Sequence, residues 1–178
     1  MTCELDTQLI QKTIDFHGHT CPGLAIGIRA AELARQTLAL HDTTEGLCVT
    51  ETDMCGVDAI QVLTNCTFGK GNLVHRDLGK TAFTFFRRDR SQGIRAVFRR
   101  DHAMAEEDRD ALKERIMASP LEALFTVTPV EAPPVRPARI LKSICCDECG
   151  EWVMESRIRL FDDRHLCMPC FSGVEQKV

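Results

Sequence analysis

The chain has 178 residues, 44% of them apolar, and carries 22 basic against 26 acidic side chains for a net charge of −4. That length suits one ordinary domain with a small appendage, and the apolar fraction supports a packed core over most of it. The acidic balance argues against a general nucleic-acid binder. No apolar run approaches the ~18 residues of a membrane span, and the polar start MTCELDTQLIQKTIDFHG offers no signal-peptide stretch, so a cytoplasmic location is expected. In that compartment the ten cysteines are expected as ligands, nucleophiles or buried thiols and not as disulfides.

Leu5, Leu9, Ile10 and Ile14 in LDTQLIQKTIDF form a helical stripe. A second helix is expected to begin at Pro22 and to run through the Ala- and Leu-rich PGLAIGIRAAELARQTLAL, since proline suits a first helical turn. GLCVTETD alternates as a strand ending near Asp53, and GVDAIQVLTN follows as a helix of two to three turns. NLVHRDLG, TAFTFFRRD and GIRAVFRR are three short strands, expected as an antiparallel meander. AEEDRDALKERIMAS is a charged helix with acids in its first turn and Lys113 and Arg115 later, as the helix dipole favours. LFTVTPV reads as a last strand. Without regular βαβ alternation the fold class is α+β, a mixed or antiparallel sheet packed with helices.

Pro133, Pro134 and Pro137 in VEAPPVRPARIL mark a semi-rigid linker. The expected division is a domain at 1–130, a linker at 131–142 and a zinc ribbon at 143–178. In the last segment Cys146-x2-Cys149 and Cys167-x2-Cys170 stand 17 residues apart. Two such knuckles joined by a hairpin supply the four thiolates of a tetrahedral zinc site. Asp162-Asp163 is placed at the turn, and Cys145 is left over. With few apolar residues the unit would draw much of its folding free energy from zinc, ~10–16 kcal/mol in comparable peptides. This tail resembles the zinc ribbon of the TraR and DksA type.

A second group of metal-ligating side chains opens the chain. In FHGHTCPG, Cys21 immediately precedes Pro22 at the N-cap of the second helix, where unpaired N–H groups favour a thiolate. His17 and His19 lie just upstream. In TETDMCGVDAI, Cys55 likewise opens a helix, flanked by Asp53 and Asp58. Convergence of His17, His19, Cys21 and Cys55 would give a soft N/S set suited to zinc, nickel, iron or copper. Lys70, between two glycines in CTFGKGN, is a candidate counter-charge for an anion; the plainer reading is a Gly-capped helix end with an exposed lysine. Cys48 and Cys66 are expected as buried thiols, and Cys3 in a mobile terminus. His41, His75 and His102 have no partner the sequence suggests. The arginines of RRDRSQGIRAVFRR are expected chiefly on the solvated edge of a sheet, where charge blocks edge pairing, with a phosphate-binding stripe as the alternative. Arg95 and Arg99 should share one face with Val97, and Ala96, Phe98 and Arg100 the other.

FHGHTCPGLAIGIRAAELA, ETDMCGVDAIQVLTNCTFGKGNL and RDLGKTAFTFF together resemble the FmdE family, which takes its name from formylmethanofuran dehydrogenase. The resemblance spans roughly residues 10–100. It implies an α+β core, a homodimer, and a metal-bearing or reactive cleft carrying His17, His19, Cys21 and Cys55, with Cys66, Lys70 and Asp58 as weaker members. Cys21, Cys55, Asp58 and Lys70 are the catalytic candidates. His17, His19, Cys21 and Cys55 are the ligands for a second metal (zinc, nickel or iron) beside the structural zinc. The function expected is that of a metal-binding accessory subunit or stand-alone relative in one-carbon or molybdenum metabolism, within a larger enzyme complex or acting on a small anionic substrate. The alternatives are a metal-sensing or metal-delivery module, and a regulatory or nucleic-acid-associated protein using the ribbon.

Overall fold

A computed structural model describes residues 3–41, 45–101, 106–134 and 140–174. His102 and Pro137 lie outside the described residues. The chain divides into two compact units, Met1–Ala138 and Arg139–Val178, each with its own apolar cluster.

In the first unit, α1 (Thr7–His17) and α2 (Pro22–Leu38) precede β1 (Gly46–Thr50), α3 (Gly56–Thr64), β2 (Leu73–His75), β3 (Ala82–Arg87) and β4 (Gln92–Phe98). Helices α4 (Arg109–Ala118) and α5 (Leu121–Leu124) then lead to β5 (Phe125–Val130). The five strands form one sheet in the order β2-β1-β3-β4-β5, with β1 and β2 parallel and every other pair antiparallel. The expected three-strand meander is therefore corrected at its first member. Backbone groups of β2 pair with β1, Cys48 opposite Leu73, and β1 separates β2 from β3. Strand β1 also ends earlier than expected, at Thr50.

Phe83 and Phe85 of β3 and Ile94 and Ala96 of β4 join the core cluster with Leu24, Ile28 and Ala31 of α2, so one face of the sheet is covered by helix. The period-2 alternation of β4 holds. Ala96 and Phe98 belong to the core cluster or pack against it, while Arg95 pairs with Glu51 through two N–H donors, at 2.7 and 2.8 Å. Strand β4 is not a sheet edge, because β5 covers it. The arginine run is correspondingly engaged: buried Arg87 donates to the terminal carbonyls of α2, Leu38 and Ala39, both at 3.0 Å, as the helix dipole favours.

Inside the unit Arg29 and Glu32 pair one helical turn apart at 2.6 Å with side chains only 1% exposed. Arg29 also donates to the Ser119 carbonyl at the end of α4, and Glu32 accepts the Glu4 N–H. Two charges out of water survive only with such additional partners, and these tie the chain start and α4 to α2. Cys3, expected in a mobile terminus, is half-buried against the core instead, and burial pushes its thiol upward. Cys48 and Cys66 are fully buried thiols, both pushed up chiefly by burial.

The second unit holds two hairpins, β6 (Ser143–Cys145) with β7 (Trp152–Met154) and β8 (Ile158–Phe161) with β9 (Arg164–Cys167), followed by α6 (Met168–Ser172). Asp162 and Asp163 make the β8–β9 turn, with φ of 49° and 56°, the pair of positive values that a two-residue turn requires to match strand twist. Among the described residues no helix is long and apolar enough to cross a membrane.

Candidate metal centre

Each residue of HGHTCPG has a place in one tight corner. His17 is the last residue of α1, not a loop residue, and Gly18 follows at φ 89°, returning its N–H to the Ile14 carbonyl. That left-handed cap suits glycine because a Cβ there is disfavoured. Two residues later Cys21 takes extended backbone geometry as N-cap of α2, its sulfur accepting the Leu24 N–H at 3.3 Å, and Pro22 begins the helix.

The corner faces the start of α3, and glycines set the distance. A Cβ on Gly27 would stand 2.3 Å from the Gly56 carbonyl oxygen, so the two helices meet backbone to backbone. Cys55 is thereby brought beside Cys21: a Cβ on Gly23 would lie 3.7 Å from one sulfur and 3.8 Å from the other. Cys55 makes no cap hydrogen bond. Its thiol is pushed above its usual value, first by burial and then by the neighbouring Cys21, so the thiolate expected of a helix start does not extend to this cysteine.

Asp58, in the first turn of α3, reaches across to α1, where its carboxylate accepts from His17 Nδ1 at 2.7 Å. This fixes the tautomer and leaves Nε2 as the free lone pair. Nε2 lies 4.0 Å from Cys21 Sγ, and the His19 ring sits 4.5 Å from that of His17. Ligand atoms of His17, His19 and Cys21 all fall within 4.8 Å of one another. A tetrahedral site with ordinary Zn–S and Zn–N bonds has an S···N edge of about 3.6 Å, so a closure of a few tenths of an ångström fits a metal there.

Lys70 is not part of this group. Its ammonium donates to the Asn65 carbonyl at 3.3 Å, at the opposite end of α3 from Cys55. The helix is capped there by Asn65 in left-handed geometry and not by glycine.

On one side of Cys21 lies an apolar cavity of about 200 Å³ lined by Ile10, Ile14 and Met117 among others. On the other, a cavity of about 320 Å³ carries both cysteines together with Ile26, Phe98, Arg100 and Arg109. The two arginines are absent from the site as read from sequence. The alternation of β4 does put Arg100 on the Phe98 face, but nothing in the sequence pairs that strand end with the first turn of α4.

In the second unit, Cys146, Cys149, Cys167 and Cys170 also fall within 4.8 Å of one another. With Zn–S bonds of ~2.3 Å a four-thiolate tetrahedron has edges of about 3.8 Å, and the Cys149 and Cys167 sulfurs lie 3.9 Å apart. Cys146 Sγ accepts the Cys167 N–H at 3.3 Å. Backbone donors of this kind, with that of Cys149 foremost, bring its thiol down to about 6. Cys170, facing Cys167, is pushed up to about 12, and zinc would displace its proton. The leftover Cys145 donates instead to the Gly150 carbonyl. These four cysteines fit a structural zinc.

Comparison with known proteins places this geometry. The profile described as FmdE, Molybdenum formylmethanofuran dehydrogenase operon, matches residues 16–126. That of the prokaryotic dksA/traR C4-type zinc finger matches residues 139–176. A probable S-adenosyl-L-methionine-binding protein of Archaeoglobus fulgidus is 29% identical over 197 residues, covering 92% of this chain and 52% of that protein. The chain thus spans about half the length of this curated relative. A crystal structure of an FmdE-like protein of tungsten formylmethanofuran dehydrogenase from Syntrophus aciditrophicus aligns with a TM-score of 0.70 at 22% identity, over 96% of this chain and 94% of that one, a likeness of fold. With more than half of its residues inside the first of these matches and four zinc-finger cysteines gathered in the segment that follows, the chain belongs to the FmdE family and is a metal-binding member of it.

Proposed function

We propose that this chain is a metal-dependent accessory subunit or stand-alone relative of formylmethanofuran dehydrogenase, with a second metal held in the cleft by His17, His19 and Cys21 and with Cys55 beside it. The observation that carries this reading is the Asp58–His17 hydrogen bond of 2.7 Å. A histidine ligand commonly donates its other ring N–H to a carboxylate, which orients the ring and raises its basicity. Two imidazoles and a thiolate suit zinc, nickel or iron, and three protein ligands leave a position for substrate, as in catalytic zinc sites. A metal bound there would supply Lewis acidity. The protein's own part is to hold His17 in one tautomer through Asp58, to keep Cys21 at the α2 start, and to limit water with the apolar wall of Ile26 and Phe98.

Metal analysis of the purified full chain tests this. Two metals per chain are expected, falling to one in the His17→Ala/Cys21→Ser variant while the ribbon metal stays. One metal in the unaltered chain, or two in the variant, would overturn the reading. A second reading is favoured by the same residues: Cys21, with His17 as base and Asp58 as its orienting carboxylate, has the arrangement of an activated nucleophile. In that case iodoacetamide would alkylate Cys21 at pH 7 at least tenfold faster than in the His17→Ala variant. Equal rates would remove it.

A further inference from the structure

The cavity over Cys21 and Cys55 has a composition that narrows what can enter it. Ile26, Met54, Phe98 and Leu112 give it an apolar wall, Thr81 adds a hydroxyl, and Arg100 and Arg109 supply its only charged side chains. No carboxylate lines it, although the chain as a whole is acidic.

The acids adjacent in sequence to the two arginines are committed elsewhere. Asp101 pairs with Arg115 at 3.0 Å, Glu107 with the same arginine at 3.1 Å and Asp110 with Lys113 at 2.8 Å. Asp108 caps α4, accepting the N–H groups of Asp110 and Ala111. The other arginines of the run differ: Arg95 is neutralised by Glu51, Arg87 by Asp89, and Arg99 donates to Thr126 Oγ1. Among the described residues the side chains of Arg100 and Arg109 have neither an ion pair nor a hydrogen bond. Two unpaired guanidinium groups at one cavity are a ready receptor for a planar oxyanion, which an arginine fork binds by two parallel hydrogen bonds.

We infer that this cleft takes a small organic carboxylate, its head on Arg100 and Arg109 and its apolar body along Ile26, Phe98 and Leu112 toward Cys21. A cavity of about 320 Å³ holds on the order of ten water-sized groups, which sets the scale at a short-chain acid and leaves no room for a nucleotide. The apolar wall distinguishes such an acid from inorganic phosphate, which has nothing to place against it. This inference rests on taking the same cleft as the working site, and it puts the anion-binding role on two arginines in place of Lys70.

Titration of the full chain with hexanoate, hexanamide and inorganic phosphate, followed by amide NMR shifts, tests it, with metal content measured on each sample. Hexanoate is expected to bind at least tenfold tighter than hexanamide and than phosphate. The exposed substitutions Arg100→Gln and Arg109→Gln should each weaken hexanoate ten- to hundredfold, the range for one hydrogen bond to a charged group, with the amide spectrum otherwise unchanged. Arg109→Lys should retain part of the affinity. Hexanamide or phosphate equalling hexanoate, or arginine variants binding like the unaltered chain, would overturn the inference. Arginine-dependent hexanoate binding in a chain with one metal would leave it standing and remove the cleft metal. Two metals without hexanoate binding would do the reverse.

Discussion

His17 is held from two directions, by the helix it terminates and by a carboxylate from another helix. Its Nδ1–H is donated to Asp58, so the direction of the Nε2 lone pair depends on an acid 41 residues away. Asp58→Asn keeps the shape, but its amide can present an N–H to Nδ1 and so favour the wrong tautomer. The cleft metal should then bind 10- to 100-fold more weakly, as when other second-layer partners of metal ligands are removed, while zinc in the ribbon is unaffected. Competition against a chelator, read as metal content, measures the difference. The Glu51–Arg95 pair illustrates a purely structural charge. Its two hydrogen bonds, at 2.7 and 2.8 Å, hold the Glu51 carboxyl below its ordinary range, with the Arg95 donors as the largest cause. A folded-state value depressed below the unfolded ~4.3 means the stabilisation is present above that pH and is lost as pH falls through the folded value. Glu51→Gln should therefore cost about 2 kcal/mol at pH 7. The gap should close below about pH 4, as followed by urea unfolding at the two pH values.

Gly27 decides how closely α2 and α3 approach. The atoms a Cβ would strike are backbone, at 2.3 to 2.7 Å, so no rotamer change relieves the collision. Gly27→Ala should cost about 3 kcal/mol, the upper part of the range for overpacking. It should also empty the cleft of metal by moving Asp58 from His17 and Cys55 from Cys21. Gly69→Ala is the control, since nothing stands within 4 Å of a Cβ there, and urea midpoints with metal content compare the two. These helices also show what the sequence carries. Their starts at Pro22 and near Gly56 are legible because proline and the apolar period fix them locally, and the ribbon is legible because its ligand spacing is short. The order of the strands is not, because pairing β2 with β1 depends on a crossover through α3 that no local pattern encodes. For the same reason the solvated edge expected for the arginine run becomes an interior strand once β5 is added. Asp58 is visible as an acid near Cys55, but its bond to His17 follows only from the glycine contact between helices. Arg100 and Arg109 are hidden for a similar reason, since the end of β4 and the start of α4 meet only in the folded unit.

The two units differ in what holds each of them together. The first has a core of aromatic and aliphatic side chains from both sheet and helices, and burial of this kind is worth ~25 cal/mol per Å² without any metal. The second has only Leu166 as a fully buried aliphatic side chain beside Cys146 and Cys167, so its ligands are also its core. Removing metal should therefore unfold the ribbon and leave the first unit folded, since zinc contributes ~10–16 kcal/mol to units of this size. The sequence supplies a convenient reporter. It has one tryptophan and no tyrosine, and Trp152 lies on β7 of the ribbon, where its backbone pairs with Cys145. Indole emission thus follows the second unit alone, while the far-ultraviolet circular dichroism is dominated by the helices of the first. On chelation the emission should change in step with metal loss, most of the dichroism should persist, and re-addition of zinc should restore the emission. Cys170→Ser, which keeps three thiolates, should shift this transition to lower chelator concentration with the dichroism unaltered. Loss of both signals together would instead show that the larger core depends on metal as well, a result its apolar composition opposes.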